Sequence, residues 1–150
     1  MFLYRITEPQ YADDLSGDGA RRFGGRWNPQ GIPLIYTAES VALAAIEVLV
    51  RLHTPKHYCR VRYELPDDVS VEVLMIEQLP PTWQRPYPNP WLLEFGKAWA
   101  LEQRSLALKV PSAVVHGEGW NYILNPRHPQ SSQIRILDII PFAYDPRLTA

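Results

Sequence analysis

The chain has 150 residues, enough for one domain spanning residues 1–150 whose core needs neither disulfides nor a structural metal. Its 15 basic and 16 acidic residues are interspersed and leave a formal charge of -1, so it carries no electrostatic footprint for direct nucleic-acid binding. The lone cysteine, Cys59, excludes an internal disulfide, and no apolar run is long enough to span a bilayer, which predicts a soluble cytoplasmic protein with no membrane partner.

Phe2 to Thr7 reads as a first strand. The polar, glycine-rich stretch from Ser16 to Gly31 is too long for a simple turn and is expected to be a loop of the kind that often carries function. Ile32 to Ala38 predicts a second strand, after which Thr37 or Ser40 can cap a helix running from about Val41 to Leu52. Cys59, Val61, Tyr63 and Leu65 alternate with Arg60, Arg62 and Glu64, the period of a half-buried strand, and burial as a small apolar group is the ordinary fate of Cys59 there. Val69 to Ile76 is a further strand candidate. Prolines concentrate in Leu79 to Pro90 and in Asn125 to Pro129, which predicts connections of fixed shape rather than flexible linkers. Asn89 at the cap and Pro90 in the first turn open a helix that puts Leu92, Phe95, Trp99 and Glu102 on one face. Leu106 to Val110 and Ile134 to Phe142 read as late strands separated by a polar loop. Strands outnumber helices and do not alternate with them regularly, so an α+β fold is expected rather than a doubly wound α/β sheet.

Three residues sit oddly in this pattern. Glu47 is the one charge in Val41 to Val50, and its neighbours a helical turn away are Leu43, Ala44, Val50 and Arg51. An ion pair with Arg51 on a solvent-facing stripe would explain it, as would a carboxylate at the floor of a cleft. Arg26 lies in Phe23-Gly24-Gly25-Arg26-Trp27-Asn28, where its planar guanidinium could contact phosphate or ribose, or simply serve a tight turn. Ser112, in Pro111 to Val115, could be a nucleophile, a ligand contact or a buried hydroxyl bonded to backbone; the absence of a Gly-x-Ser-x-Gly elbow disfavours acyl transfer. His53 and His57 have helical metal-pair spacing, but Pro55 between them breaks the helix, and His116 and His128 have no ligand partners at suitable spacing, so no metal site is expected. No phosphate-binding P-loop is present, and Gly24-Gly25 alone is not a dinucleotide fingerprint.

The blocks Gly24 to Asn28, Tyr36 to Ser40 and Ala44 to Leu49, followed by Arg104 to Leu108, Val110 to Val115, Asn121 to Pro126 with His128, and Pro141 to Leu148, together resemble RES-domain proteins over nearly the whole chain. The Arg, Glu and Ser that give that family its name fall on Arg26, Glu47 and Ser112, and a tyrosine lining the same pocket falls on Tyr36. The resemblance implies a fold like that of ADP-ribosyltransferases and diphtheria-type toxins, with NAD+ as substrate rather than as a resident cofactor. It also implies the role of toxin in a type II toxin–antitoxin pair, held in a hetero-oligomer by an Xre-like helix-turn-helix antitoxin.

Cleavage of the nicotinamide–ribose bond passes through an oxocarbenium-like sugar. Glu47, working ionised, could stabilise that charge and hold the ribose hydroxyls. Arg26 would grip the diphosphate or ribose, Tyr36 would stack on or orient the nicotinamide, and Ser112 would hydrogen-bond nearby. Water as acceptor gives a glycohydrolase, inorganic phosphate a phosphorylase and a protein side chain a transferase. NAD+ depletion by water or phosphate is the leading expectation, with protein ADP-ribosylation and a catalytically silent antitoxin-binding module as the alternatives. Whether Arg104 and Asn125 join the site is left open.

Overall fold

The computed structural model describes residues 1–51 and 57–148. In chain order it contains β1 (Phe2–Thr7), α1 (Asp18–Phe23), β2 (Ile35–Ala38), α2 (Val41–Leu49), β3 (Tyr58–Glu64), β4 (Val71–Val73), α3 (Pro90–Leu101), β5 (Ala107–Pro111), β6 (Trp120–Leu124) and β7 (Arg135–Phe142). The strands form one sheet in the order β4-β5-β6-β2-β1-β3-β7. Every pairing is antiparallel except that of β4 with β5. This is the α+β architecture expected from the sequence.

Local chemistry explains the two long helices. Ser40, not Thr37, caps α2, its hydroxyl accepting the Leu43 N–H at 3.1 Å, while the Thr37 hydroxyl donates to the Tyr122 carbonyl at 2.6 Å. Asn89 caps α3 by accepting from the N–H groups of Trp91 and Leu92 at 3.0 and 3.4 Å. Leu92 and Trp99 are fully buried on the inner face of α3, with the Trp99 indole donating to Ser105 at 2.8 Å. Glu102, expected on that face, is exposed and only ends the helix.

Three hydrophobic clusters hold the layers. One, including Leu3, Ile35, Val61, Tyr63, Leu106 and Leu124, is covered by loop residues such as Ala12, Val69 and Ile134, and half-buried Cys59 packs on it. The other two lie under the helices: Leu43 and Ala44 of α2 pack with Ile6, Ala38 and Tyr58, and Leu92 and Trp99 of α3 pack with Leu108, Val110 and Ile123. The register pairs Tyr36 with Ile123 and Ala38 with Asn121, placing all four on the helix-covered face.

Several sequence expectations need correction. The stretch Ser16 to Gly31 is not all loop: α1 forms within it because Asp18 in its first turn pairs with Arg21 and Arg22 at i,i+3 and i,i+4, and Gly24, at φ 74°, ends it. β2 starts at Ile35 instead of Ile32, since Pro33 has no N–H to give a ladder, although Ile32 and Leu34 are buried. α2 ends at Leu49 with Val50 as its C-cap, and Leu52, the predicted end, lies outside the described residues, as does His53. The expected strand Val69 to Ile76 shrinks to β4, a short edge strand. The polar loop between the two late strands contains β6, which sits between β5 and β2 and was hidden by the polar Glu118-Gly119 just before it and by Asn121.

Gly96, in the middle of α3, has a packing reason. A Cβ there would lie 1.7 Å from the Trp27 carbonyl oxygen, so only glycine lets the loop after α1 rest on the helix. Gly96→Ala is expected to lower stability by about 1–3 kcal/mol through overpacking, read from the denaturant midpoint of the purified protein; an unchanged midpoint would contradict this contact.

Candidate active site

Glu47 projects from α2, and its carboxylate is bound from two other elements. The Ser112 hydroxyl, just past β5, donates to Oε1 at 2.6 Å, and the Asn121 side-chain amide, on β6, donates to the same oxygen at 2.7 Å. Ser112 is fully buried and its main chain is fixed by bonds from its N–H to the Gly119 carbonyl and from the Gly117 N–H to its own carbonyl, each 2.8 Å. Glu47 and Asn121 are half-buried. The Oε2 oxygen receives no hydrogen bond among the described residues. The solvent-stripe alternative therefore fails: Arg51 does not pair with the carboxylate but directs its Nε to the Glu47 backbone carbonyl at 3.3 Å.

The same bond bears on the readings of Ser112. Its hydroxyl hydrogen goes to the Glu47 carboxylate, and no histidine among the described residues is hydrogen-bonded to it, an arrangement that orients Glu47 and lacks the base a nucleophilic serine needs. Asn121 donates to the same oxygen; it opens one of the blocks that resemble the family, but with β6 expected to be loop nothing in the sequence paired it with Glu47.

Arg26 and Tyr36 shape the neighbouring wall. Arg26 Nη1 donates to the carbonyls of Trp83 and Arg85 at 3.1 and 3.0 Å, which fastens the proline-rich segment before α3 to the glycine loop. Burial pushes the Arg26 pKa down, and the charge of Glu47 opposes that push, so the two groups lie within electrostatic range. The Tyr36 hydroxyl accepts the Trp27 N–H at 2.9 Å and donates to Asn28 Oδ1 at 2.6 Å. Asn28, fully buried, shares its amide hydrogens among the carbonyls of Ala20, Pro29 and Ile32 at 2.9, 3.1 and 2.9 Å. A Cβ on Gly25 would come within 2.7 Å of the Tyr36 hydroxyl oxygen, so this loop can close over the ring only with glycine at that position.

The structure thus brings Glu47 and Ser112 into contact and puts Arg26 and Tyr36 on the adjoining loop and strand. It takes Arg104 and Asn125 elsewhere: Arg104 pairs with Glu72 at 2.6 Å and lies over the Phe95 ring, and buried Asn125 donates to the Ala100 carbonyl at 3.0 Å. His116 contacts Gln84 at 3.3 Å, and His128 caps the turn that follows it. Among the described residues no group of three or more His, Cys, Asp or Glu side chains is placed to hold a metal ion, and no helix is long and apolar enough to cross a membrane.

Tyr36 ties this site to pH. Burial raises its pKa above the ordinary 10.0, so above pH 10 the unfolded chain releases a proton that the folded chain keeps, and stability falls as pH rises. Tyr36→Phe is expected to lose about 1–3 kcal/mol near neutrality, by leaving the Trp27 N–H and the Asn28 oxygen unpaired, and to fall less steeply than the parent above pH 10. Denaturant titrations across that range check both; parallel pH profiles would contradict the assignment.

The RES domain profile matches residues 2–145. The Prs ADP-ribosylating toxin of Sphingobium sp. (strain YBL2) is 40% identical over 142 residues, covering 91% of this chain and 88% of that protein. The NAD(+) phosphorylase MbcT of Mycobacterium bovis is 54% identical over a shorter stretch of 46 residues, 30% of this chain and 24% of that one. A chain of the M. tuberculosis MbcT-MbcA toxin–antitoxin complex superposes with a TM-score of 0.79 at 24% identity, over 95% of this chain and 84% of that one, which bears out the expected fold. With the family profile spanning nearly its whole length, this chain belongs to the RES domain family.

Proposed function

We propose that this chain is the toxin of a toxin–antitoxin pair and that it cleaves the nicotinamide–ribose bond of NAD+, with water or inorganic phosphate as acceptor. The observation that carries the reading is the Glu47 carboxylate, held through one oxygen by Ser112 and Asn121 while the other takes no protein hydrogen bond among the described residues. A carboxylate fixed in that way is preorganised to oppose positive charge growing at a sugar carbon. Nicotinamide departs as a neutral molecule, so the reaction needs no acid to protonate it. The family, and a relative named as an NAD(+) phosphorylase, support the same substrate.

In this reading Glu47 contacts the ribose, and Arg26 supplies charge to the diphosphate from nitrogens other than Nη1, which is engaged with two carbonyls. The Tyr36 hydroxyl is engaged with the glycine loop, so its ring, not its hydroxyl, is the part that meets nicotinamide. Ser112 and Asn121 act through Glu47. An antitoxin of the Xre-like helix-turn-helix type would silence the protein in the cytoplasm by covering the cleft, and DNA binding of the complex would come from that partner, since the toxin itself is near neutral.

A second reading, transfer of ADP-ribose to a protein, is favoured by the relative named as an ADP-ribosylating toxin. Incubating the purified protein with NAD+ and measuring free nicotinamide with and without phosphate separates the two. Release without a protein acceptor supports the first; release only when a target protein is added supports the second, and none under any condition leaves a silent binding module. Glu47→Gln keeps the shape and loses the charge, and is expected to lower kcat by roughly 100- to 1,000-fold with the melting temperature within a few degrees of the parent. A folded Gln variant of full activity would remove Glu47 from the chemistry.

A further inference from the structure

Tyr87 places a phenol ring on the glycine loop. It is 45% exposed, and its hydroxyl oxygen lies 3.1 Å from where a Cβ on Gly24 would stand. The next glycine meets a second phenol, since a Cβ on Gly25 would come within 2.7 Å of the Tyr36 hydroxyl oxygen. The two tyrosines therefore flank the same pair of glycines directly before Arg26, one from β2 and the other from the proline-rich segment before α3. They differ in what they are bonded to. Tyr36 spends its hydroxyl on Trp27 and Asn28, whereas among the described residues the Tyr87 hydroxyl makes no hydrogen bond and its ring stacks on no other aromatic side chain. The segment that carries Tyr87 is fixed relative to Arg26, whose Nη1 donates to the Trp83 and Arg85 carbonyls at 3.1 and 3.0 Å. Tyr87 follows Arg85 by two residues, at most about 7 Å of extended chain. Electrostatics agree with this placement: burial is the main cause of the raised Tyr36 pKa, and Tyr87 adds to it as a neighbouring phenol does.

We propose that Tyr87 is a substrate-binding residue whose ring stacks on the adenine of the dinucleotide. The proposal rests on the NAD+-cleaving reading, which puts the reacting ribose at Glu47 and the diphosphate at Arg26. From the diphosphate the molecule extends in two directions, each through one ribose to one ring. The nicotinamide end belongs with Glu47, whose partner Ser112 is fully buried. The adenine end is left for the more exposed wall, where Tyr87 stands. One ribose separates adenine from diphosphate, a span on the order of the step from Arg85 to Tyr87. Adenine is an uncharged ring with a wide π face, which an aromatic side chain holds by stacking. Packing on the glycine loop alone would be served by any apolar side chain of similar size, whereas holding a base needs the ring.

The test uses ADP, which carries the adenine and the diphosphate but no nicotinamide bond, titrated calorimetrically into the parent, Y87L and Y87F. Leucine keeps apolar bulk against Gly24 and removes the π face, and phenylalanine keeps the ring. At an exposed position neither should move the melting temperature by more than a few degrees. ADP affinity is expected to fall about fivefold or more in Y87L and to stay within about twofold of the parent in Y87F. With NAD+ the KM of Y87L should rise by a similar factor while kcat stays within about twofold, and with nicotinamide mononucleotide, which lacks the adenosine, both constants should match the parent. Y87L binding ADP as the parent does, Y87F losing as much as Y87L, or a parent that does not bind ADP overturns the proposal even where NAD+ is cleaved. A KM for the mononucleotide that rises as far as that for NAD+ overturns it too, by putting Tyr87 at the nicotinamide end. Weakened ADP binding in Y87L but not Y87F, from a parent that releases no nicotinamide, upholds the adenine contact and instead sinks the NAD+-cleaving reading.

Discussion

One oxygen of Glu47 joins three elements that sequence order keeps apart. Through it α2 is bonded to Ser112 at the end of β5 and to Asn121 on β6, and those bonds span 65 and 74 residues of chain. A carboxylate in an otherwise apolar helix is unfavourable unless something compensates it. Here two donors do so, one of them fully buried, and both sit on the helix-covered side of the sheet. Fixing the carboxylate by one oxygen sets its orientation before any substrate arrives, and such preorganisation is what makes an electrostatic contribution large in a transition state.

The adjoining glycine loop is held by a different device, a buried amide. Asn28 draws three carbonyls together and receives the Tyr36 hydroxyl, Tyr36 in turn receives the Trp27 N–H, and Gly96 lets the Trp27 carbonyl settle on α3. Arg26 lies between Gly25 and Trp27 in this locked loop, so its backbone has little freedom, and its guanidinium extends the lock to the segment before α3. The division of labour is clear in these bonds. Tyr36 and Ser112 spend their hydroxyls on the protein, and the second oxygen of Glu47 takes no hydrogen bond among the described residues.

Much of this was legible in the sequence, and the reasons are specific. Asn89-Pro90 announced α3 because capping and the first-turn proline are local effects, and the alternation in Cys59 to Leu65 announced β3 because one face of that strand is core. Glu47 stood out because charge in an apolar helix is rare, and Arg26 because glycines free the chain around it. β6 did not stand out: only Ile123 and Leu124 are buried, by strands far off in sequence, and Asn121 breaks the apolar pattern to bond Glu47. Asn28 was likewise invisible as a hub, since nothing local says that an asparagine will be buried. The short helix α1 was masked by the glycines on either side of it, although Asp18 with Arg21 and Arg22 was its signal.

In the proposed reaction the positioned carboxylate of Glu47 faces the sugar carbon from which nicotinamide leaves. A crystal structure of the protein with a non-cleavable carbocyclic analogue of NAD+ tests it most directly. The nicotinamide-bearing ring is expected within hydrogen-bond distance of Glu47, with the Ser112 and Asn121 bonds to Oε1 retained and the diphosphate on the side of Arg26. An analogue bound with that ring away from Glu47, or bound only after those two bonds have broken, would contradict it.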